Sequence, residues 1–87
     1  MLAFTDEAAR RLQAIYTTPD IAAQRRAALD LLQLRSAESI VDVGCGPGFL
    51  SEEMADVVGS KGRVLGIDIS EDLLAFAKER NNRDWLE

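Results

Sequence analysis

The sequence predicts an α/β protein in which short parallel strands are joined by helices. Two N-terminal segments carry apolar residues at helical spacing, and two short apolar strands follow, separated by an amphipathic helix. A cluster of glycines lies between the first strand and that helix. The predicted element order is therefore α-α-β-α-β-α, and its strand–helix–strand part is expected to be a right-handed unit with parallel strands.

The two N-terminal helices are expected over residues 6–16 and from Pro19 to about residue 33. Thr5 and Thr18 are their expected N-caps, because a threonine hydroxyl can accept a hydrogen bond from a free amide of the first turn. Pro19 suits the first turn, where an amide hydrogen is not needed. The predicted apolar stripes are Ala8, Leu12, Ile15 and Tyr16, followed by Ile21, Ala28, Leu31 and Leu32.

The first strand is expected over residues 40–43, after a polar connector formed by residues 35–39. It ends in the glycine cluster of residues 44–48, and an amphipathic helix follows. Gly59 stands where a helix commonly stops with a residue in the left-handed αL conformation. The apolar positions of this helix are Leu50, Met54, Val57 and Val58.

The second strand is expected over residues 63–67, and a last helix is expected after it. Ser70 is the predicted N-cap of that helix, and the acidic residues after it suit the positive end of a helix dipole. Asn81 and Asn82 should end the helix. Its inward-facing residues are expected to be Leu73, Phe76 and Ala77.

Composition and charge exclude several classes of function. Ten Lys and Arg residues against fifteen Asp and Glu residues give a net charge of −5, which argues against nucleic-acid binding as the main activity. The chain has one cysteine and no histidine, so we expect no intramolecular disulfide, zinc site or histidine-based triad. No apolar run is long enough for a membrane span, and no secretory signal is recognisable. We therefore expect a cytoplasmic protein.

The candidate functional residues lie where the two predicted strands end. Gly44 can form the tight turn that leaves the first strand, Gly46 allows a ligand to approach the backbone, and Gly48 suits close helix packing or an unusual φ. Asp68 follows the second strand, 20 residues after Gly48. A carboxylate at that point can accept hydrogen bonds from both hydroxyls of a ribose. This combination predicts a site for a cofactor that contains a nucleoside.

The spacing of the glycines bears on which cofactor is bound. A dinucleotide site favours G-x-G-x-x-G, whereas Phe49 stands at the position of the third glycine. Asp42 precedes the first glycine by two residues. A carboxylate there would repel a pyrophosphate, but it suits the ammonium group of an amino-acid moiety and a positively charged sulfonium.

The segments VDVGCGPG and GIDIS resemble those of class I S-adenosylmethionine-dependent methyltransferases of the small-molecule type. The resemblance covers about residues 25–82 and implies the N-terminal part of a Rossmann-like fold with an incomplete parallel sheet. It also implies one partial methyltransferase domain over residues 1–87, with N-terminal helices over 1–39 and a cofactor-binding βαβα part over 40–87.

The resemblance assigns cofactor-binding roles to residues at both strand ends. Asp42 would hold the amino group of S-adenosylmethionine, and the backbone of Gly44, Cys45 and Gly46 would line its methionine and ribose portions. Asp68 would bind the ribose hydroxyls. Ile69 would pack against the adenine, and Gly48 completes the glycine turn. Cys45 is expected to pack rather than act as a nucleophile, and no residue can be named as catalytic.

The expected partner is a small-molecule methyl acceptor. The resemblance implies further strands, so we expect an N-terminal fragment that binds cofactor but is not catalytically complete alone. Its first strand should expose an edge through which the chain could form a homo-oligomer. Two alternatives stay open at this point: an NAD(P)-binding oxidoreductase fragment, and a non-catalytic Rossmann-like interaction module.

Overall fold

The computed structural model describes residues 6–87 as four helices and two strands, in the predicted order. The expected cap at Thr5 lies outside the described residues. The chain divides into two compact units, Met1–Gln33 and Leu34–Glu87. The elements are α1 (Asp6–Tyr16), α2 (Pro19–Leu32), β1 (Ser39–Val43), α3 (Phe49–Val58), β2 (Arg63–Ile67) and α4 (Glu71–Arg80).

The first unit contains the helix pair α1 and α2. Thr18 caps α2 as predicted, because its hydroxyl accepts a hydrogen bond from the amide of Ile21 at 3.4 Å, and Pro19 occupies the first turn. The helix ends at Leu32, and the C-cap residue Gln33 lies in the left-handed region with a φ of 50° and a ψ of 48°. The carbonyl of Tyr16 accepts a hydrogen bond from Arg25, which joins the end of α1 to α2.

The second unit is built on the parallel pair β1 and β2. Asp42 of β1 lies opposite Gly66 of β2 in the register. On the other edge of β2, Val64 forms a parallel bridge with Leu86. The amide of Gly66 also donates to the carbonyl of Glu87 at 2.8 Å. Leu86 thus forms an isolated parallel bridge with β2 on the edge opposite β1.

The core of this unit lies between α3 and one face of the sheet. The buried apolar residues are Phe49, Met54, Ala55, Val58 and Val64. The buried face of α3 therefore differs from the predicted apolar stripe. Val57 belongs to that stripe but is 42% exposed, whereas Ala55 does not belong to it and is fully buried. The prediction for Gly59 was also wrong in part. Gly59 ends the helix with a positive φ of 73°, but its ψ of −178° lies outside the αL region.

The opposite face of the sheet carries four exposed apolar side chains in matching register. Val41 lies opposite Leu65, and Val43 lies opposite Ile67. Their exposed fractions range from 38% for Leu65 to 79% for Val43. Parallel sheets normally have both faces covered, so this apolar face is available for packing against other elements.

Polar contacts fasten α4 and the C-terminal segment to α3. The guanidinium of Arg80 forms an ion pair with Glu52 and lies 3.6 Å from the centre of the Phe49 ring. Arg83 donates two hydrogen bonds to Asp56, at 2.7 and 3.0 Å. The indole of Trp85 donates to the carbonyl of Ala55 at 2.8 Å. These contacts set the position of α4 beside the glycine turn.

Candidate functional site

The glycine turn is attached to the end of β2 by backbone hydrogen bonds. The amides of Gly44 and Cys45 both donate to the carbonyl of Ile67, at 2.7 and 3.0 Å. Because the two strands are parallel, their carboxyl ends lie side by side, and the turn after β1 meets the residues that follow β2. The site candidates from residues 42–48 are thereby brought next to Asp68.

Positive φ angles shape the turn. Gly44, Gly46 and Gly48 have φ values of 71°, 57° and 85°, a region that disfavours side chains. A Cβ atom at Gly44 would have no neighbour within 4 Å, whereas one at Gly48 would lie 3.0 Å from the Cβ of Ala77. The first glycine therefore borders open space that a ligand can enter, and the last glycine lets α4 pack closely against the turn.

Asp68 links the two strand ends through its carboxylate. One oxygen accepts a hydrogen bond from the amide of Gly46 at 2.9 Å, and the other accepts one from the amide of Ser70 at 2.8 Å. These two bonds, the Ser70 bond first, lower the pKa of Asp68 because they favour the charged form. Each carboxylate oxygen can accept a second bond. Asp68 is thus ionised and oriented while retaining acceptor capacity for ligand hydroxyls.

Asp42 at the end of β1 is held by a residue that the sequence interpretation missed. Its Oδ2 accepts a hydrogen bond from the hydroxyl of Ser51 at 2.6 Å. Asp42 is half-buried, and Ser51 is only 2% exposed. A sequence signal exists, since Ser51 lies at i, i+3, i+4 and i+7 spacing with the buried Met54, Ala55 and Val58. A polar residue on that face indicates a buried partner.

Cys45 of the glycine turn is half-buried. Desolvation raises the pKa of its thiol, and the negative charges of Asp42 and Asp68 raise it further. The thiol is therefore neutral at neutral pH and a poor nucleophile. This environment agrees with a packing role for Cys45.

Ile69 follows Asp68 at the same end of the sheet and is fully exposed. The structure brings together Asp42, the glycine turn and Asp68, with Ile69 beside them. An exposed apolar side chain next to a carboxylate suits contact with a flat ring. The expected packing of Ile69 on an adenine stays a prediction.

Comparison with known proteins identifies the family. A family described as a methyltransferase domain matches residues 34–87, which is more than half of the chain and includes β1, the glycine turn and Asp68. The chain belongs to this methyltransferase domain family. The match begins at the same residue as the second compact unit, Leu34–Glu87.

Individual relatives carry several methyltransferase names. The chain is 39% identical over 59 residues to the 23S rRNA (uracil(1939)-C(5))-methyltransferase RlmD of Acinetobacter baumannii, covering 68% of this chain and 13% of the relative. It is 34% identical over 67 residues to the 2-phytyl-1,4-naphtoquinone methyltransferase of Thermosynechococcus vestitus, covering 72% of this chain and 30% of the relative. The chain therefore spans a third or less of the length of these curated relatives.

A solved structure of a SAM-dependent methyltransferase from Aquifex aeolicus matches with a TM-score of 0.64 and 30% identity, covering 72% of this chain and 35% of that one. The predicted Rossmann-like fold and methyltransferase family are thus confirmed. The predicted cofactor, S-adenosylmethionine, is the one named for this structural relative.

A cavity of about 520 Å³ lies apart from most of the predicted site residues. Its walls include Leu74 and Ala77 of α4, Ser51 of α3 and Gly66 of β2. Among the predicted cofactor-binding residues, only Cys45 and Gly48 line it. The groups that can bind ribose hydroxyls or an ammonium group lie instead at the strand ends, and we place the candidate site there.

The charges of the strand ends bear on which ligands this methyltransferase family member can accept there. Asp42 and Asp68 place two carboxylates around the glycine turn, and both lie close enough to Cys45 to raise its pKa. Such a site attracts cationic groups and repels phosphate.

The described helices include none that is long and apolar enough to cross a bilayer.

Proposed function

We propose that this chain forms the S-adenosylmethionine-binding part of a methyltransferase. The carboxylate of Asp68 is the observation on which the proposal chiefly rests. It is oriented by the amides of Gly46 and Ser70 at the end of β2. A fixed, ionised carboxylate beside a glycine turn suits the two hydroxyls of a ribose.

Each predicted residue receives a role in this proposal. Asp68 binds the ribose hydroxyls, and Ile69 packs against the adenine. Asp42 holds the amino group of the ligand. The backbone of residues 44–46 lines the methionine and ribose portions, and Gly48 permits the turn to pack against α4. The open space beside Gly44 supports the close approach of a ligand.

The bound cofactor supplies an electrophilic methyl group on a positively charged sulfonium. The residues of this chain bind and orient it, and orientation of two reactants can account for a large part of a rate enhancement. The carboxylates of Asp42 and Asp68 also give the site a negative potential that suits a cation. We assign no proton transfer to any residue of this chain.

The proposed methyl acceptor is a small molecule. One relative is named for an rRNA uracil and another for a naphthoquinone. The net charge of −5 favours the second kind of acceptor, because RNA binding depends on clustered cations. The chain spans 13% and 30% of these two relatives, so we propose that it binds cofactor weakly and does not turn over alone.

Self-association through β1 is a further part of the proposal. Within the described residues, β1 pairs with β2 on one edge only, and unpaired strand edges invite pairing with another chain. Sedimentation velocity should then show a dimer or larger species. A monomer at all accessible concentrations would contradict this part alone.

The test of cofactor binding is isothermal titration calorimetry with S-adenosylmethionine, S-adenosylhomocysteine and NAD. The first two ligands should bind and NAD should not. Asp68→Ala should abolish binding, because the ribose hydroxyls lose their acceptor. Asp30→Ala is the matched control, since Asp30 is an exposed acid in α2 and the variant has the same change in charge.

Each contrary result has a defined meaning. Retained affinity in Asp68→Ala would contradict the assigned role of Asp68. Binding of NAD by the wild-type chain would favour the oxidoreductase alternative. Absence of binding for all three ligands would favour a non-catalytic interaction module.

A further inference from the structure

We infer that Ser51 is a positioning residue, which orients the carboxylate of Asp42 toward the amino group of the ligand. The inference rests on the proposed function, because it concerns the same site. It adds a residue of α3 to a site otherwise formed by the end of β1 and by the segments that follow the two strands. Ser51 would act through Asp42 and would not touch the ligand itself.

The first observation is the burial of Ser51 and its hydrogen bond. The side chain is 2% exposed, and its hydroxyl donates to Oδ2 of Asp42 at 2.6 Å. That distance is typical of a hydroxyl bound to a charged carboxylate. Burial of a hydroxyl without a partner is unfavourable. Asp42 therefore provides the hydrogen-bond acceptor that the buried hydroxyl of Ser51 needs. Ser51 in turn restricts the rotation of the Asp42 side chain.

The second observation is the space left by Gly66, which lies opposite Asp42 in the sheet register. A Cβ atom at Gly66 would lie 2.9 Å from the Sγ of Cys45 and 3.5 Å from the Oγ of Ser51. A Cβ at this position would therefore displace the thiol of Cys45 and would make an ordinary van der Waals contact with the hydroxyl of Ser51. The absence of a side chain at Gly66 thus leaves room for the thiol of Cys45, and the hydroxyl of Ser51 lies near the β2 position that is paired with Asp42.

The bond engages one oxygen of Asp42 and defines where the other can point. Without it, the carboxylate could sample other rotamers and would have to be reoriented when the ligand binds. A hydrogen bond to a charged group is strong enough for its loss to weaken binding about tenfold. Binding should be weakened only for ligands that carry the amino group held by Asp42.

The experiment compares two ligands that differ in this group. S-adenosylhomocysteine carries the amino-acid moiety, and 5′-methylthioadenosine lacks it. In the full chain, Ser51→Ala should weaken S-adenosylhomocysteine about tenfold and leave 5′-methylthioadenosine unchanged. Ser60→Ala is the matched control, because Ser60 is exposed. Circular dichroism checks that each variant is folded, and alanine suits the helical position of Ser51.

A double-mutant cycle tests the route through Asp42. Asp42→Asn should also weaken S-adenosylhomocysteine selectively, and Ser51→Ala should cause little further loss in that background because the two residues act as one unit. Additive losses would overturn the inference. Should Ser51→Ala not fold, Ser51→Cys provides a weaker donor at the same position and is judged by the same comparison of ligands.

The remaining outcomes separate the inference from the proposed function. Unchanged binding of S-adenosylhomocysteine in Ser51→Ala would overturn the inference alone. Equal losses for the two ligands would assign Ser51 a merely structural role and would also overturn it. Failure of the wild-type chain to bind S-adenosylhomocysteine would overturn the proposed function, and this inference with it.

Discussion

Gly48→Ala should destabilise the second unit through two separate effects. Gly48 has a φ of 85°, and a left-handed backbone costs a residue with a Cβ about 1–2 kcal/mol. The new Cβ would also lie 3.0 Å from the Cβ of Ala77. Overpacking of this kind typically costs about 1–3 kcal/mol. We therefore expect the free energy of unfolding to fall by about 2–5 kcal/mol.

Gly44→Ala is the matched control for this prediction. Gly44 has a similar φ of 71°, but a Cβ there would meet nothing within 4 Å. It should therefore show the backbone cost alone, about 1–2 kcal/mol. The difference between the two variants measures the contact between the turn and α4.

Urea unfolding followed by the fluorescence of Trp85 is a suitable assay. Trp85 is the only tryptophan, and its indole is bonded to the carbonyl of Ala55 in α3. Equal losses of stability in Gly48→Ala and Gly44→Ala would refute the contact with Ala77. A urea midpoint of Gly48→Ala equal to that of the wild type would also refute the left-handed conformation of Gly48.

Three further predictions concern charged and titrating groups. Arg83→Ala should lower the free energy of unfolding by about 1 kcal/mol, measured by urea unfolding, because Asp56 loses a bidentate partner. The lowered pKa of Asp68 gives stability that is present at neutral pH and is lost as the pH falls below 3.8 through the folded-state pKa. The free energy of unfolding of Asp68→Asn should not show this loss when it is measured by urea unfolding at a series of pH values in the same acidic range. The raised pKa of Cys45 should make its alkylation by iodoacetamide at about pH 8 slow, and Asp42→Asn should accelerate it.

Each of these predictions has a contrary result. A stability of Arg83→Ala equal to that of the wild type would show that the ion pair contributes nothing. Parallel acid titrations of Asp68→Asn and the wild type would contradict the hydrogen-bonded carboxylate. Alkylation of Cys45 as fast in the native protein as in urea would contradict its raised pKa.

Local sequence patterns predicted the elements of the second unit well. The bounds of β2 were predicted at the observed residues, and Ser70 caps α4 through a bond of 3.2 Å from the amide of Leu73. Both features depend on residues close together in the chain, and a short window therefore contains the information. The buried face of α3 was predicted less well, because Val57 and Ala55 are both compatible with helical periodicity. Only packing against the sheet decides which one is buried.

The candidate site was likewise predicted in part from the sequence and decided in part by the tertiary structure. The sequence alone indicated the family, the order of elements, and the carboxylates and glycines at the strand ends, because these depend on residue type and spacing. The tertiary structure decided that Asp68 bonds to Gly46, 22 residues away, and that Ser51 holds Asp42. Hydrogen bonds between distant segments require positions accurate to a fraction of an ångström. The packing of helices on the sheet sets those positions, and periodicity does not contain them.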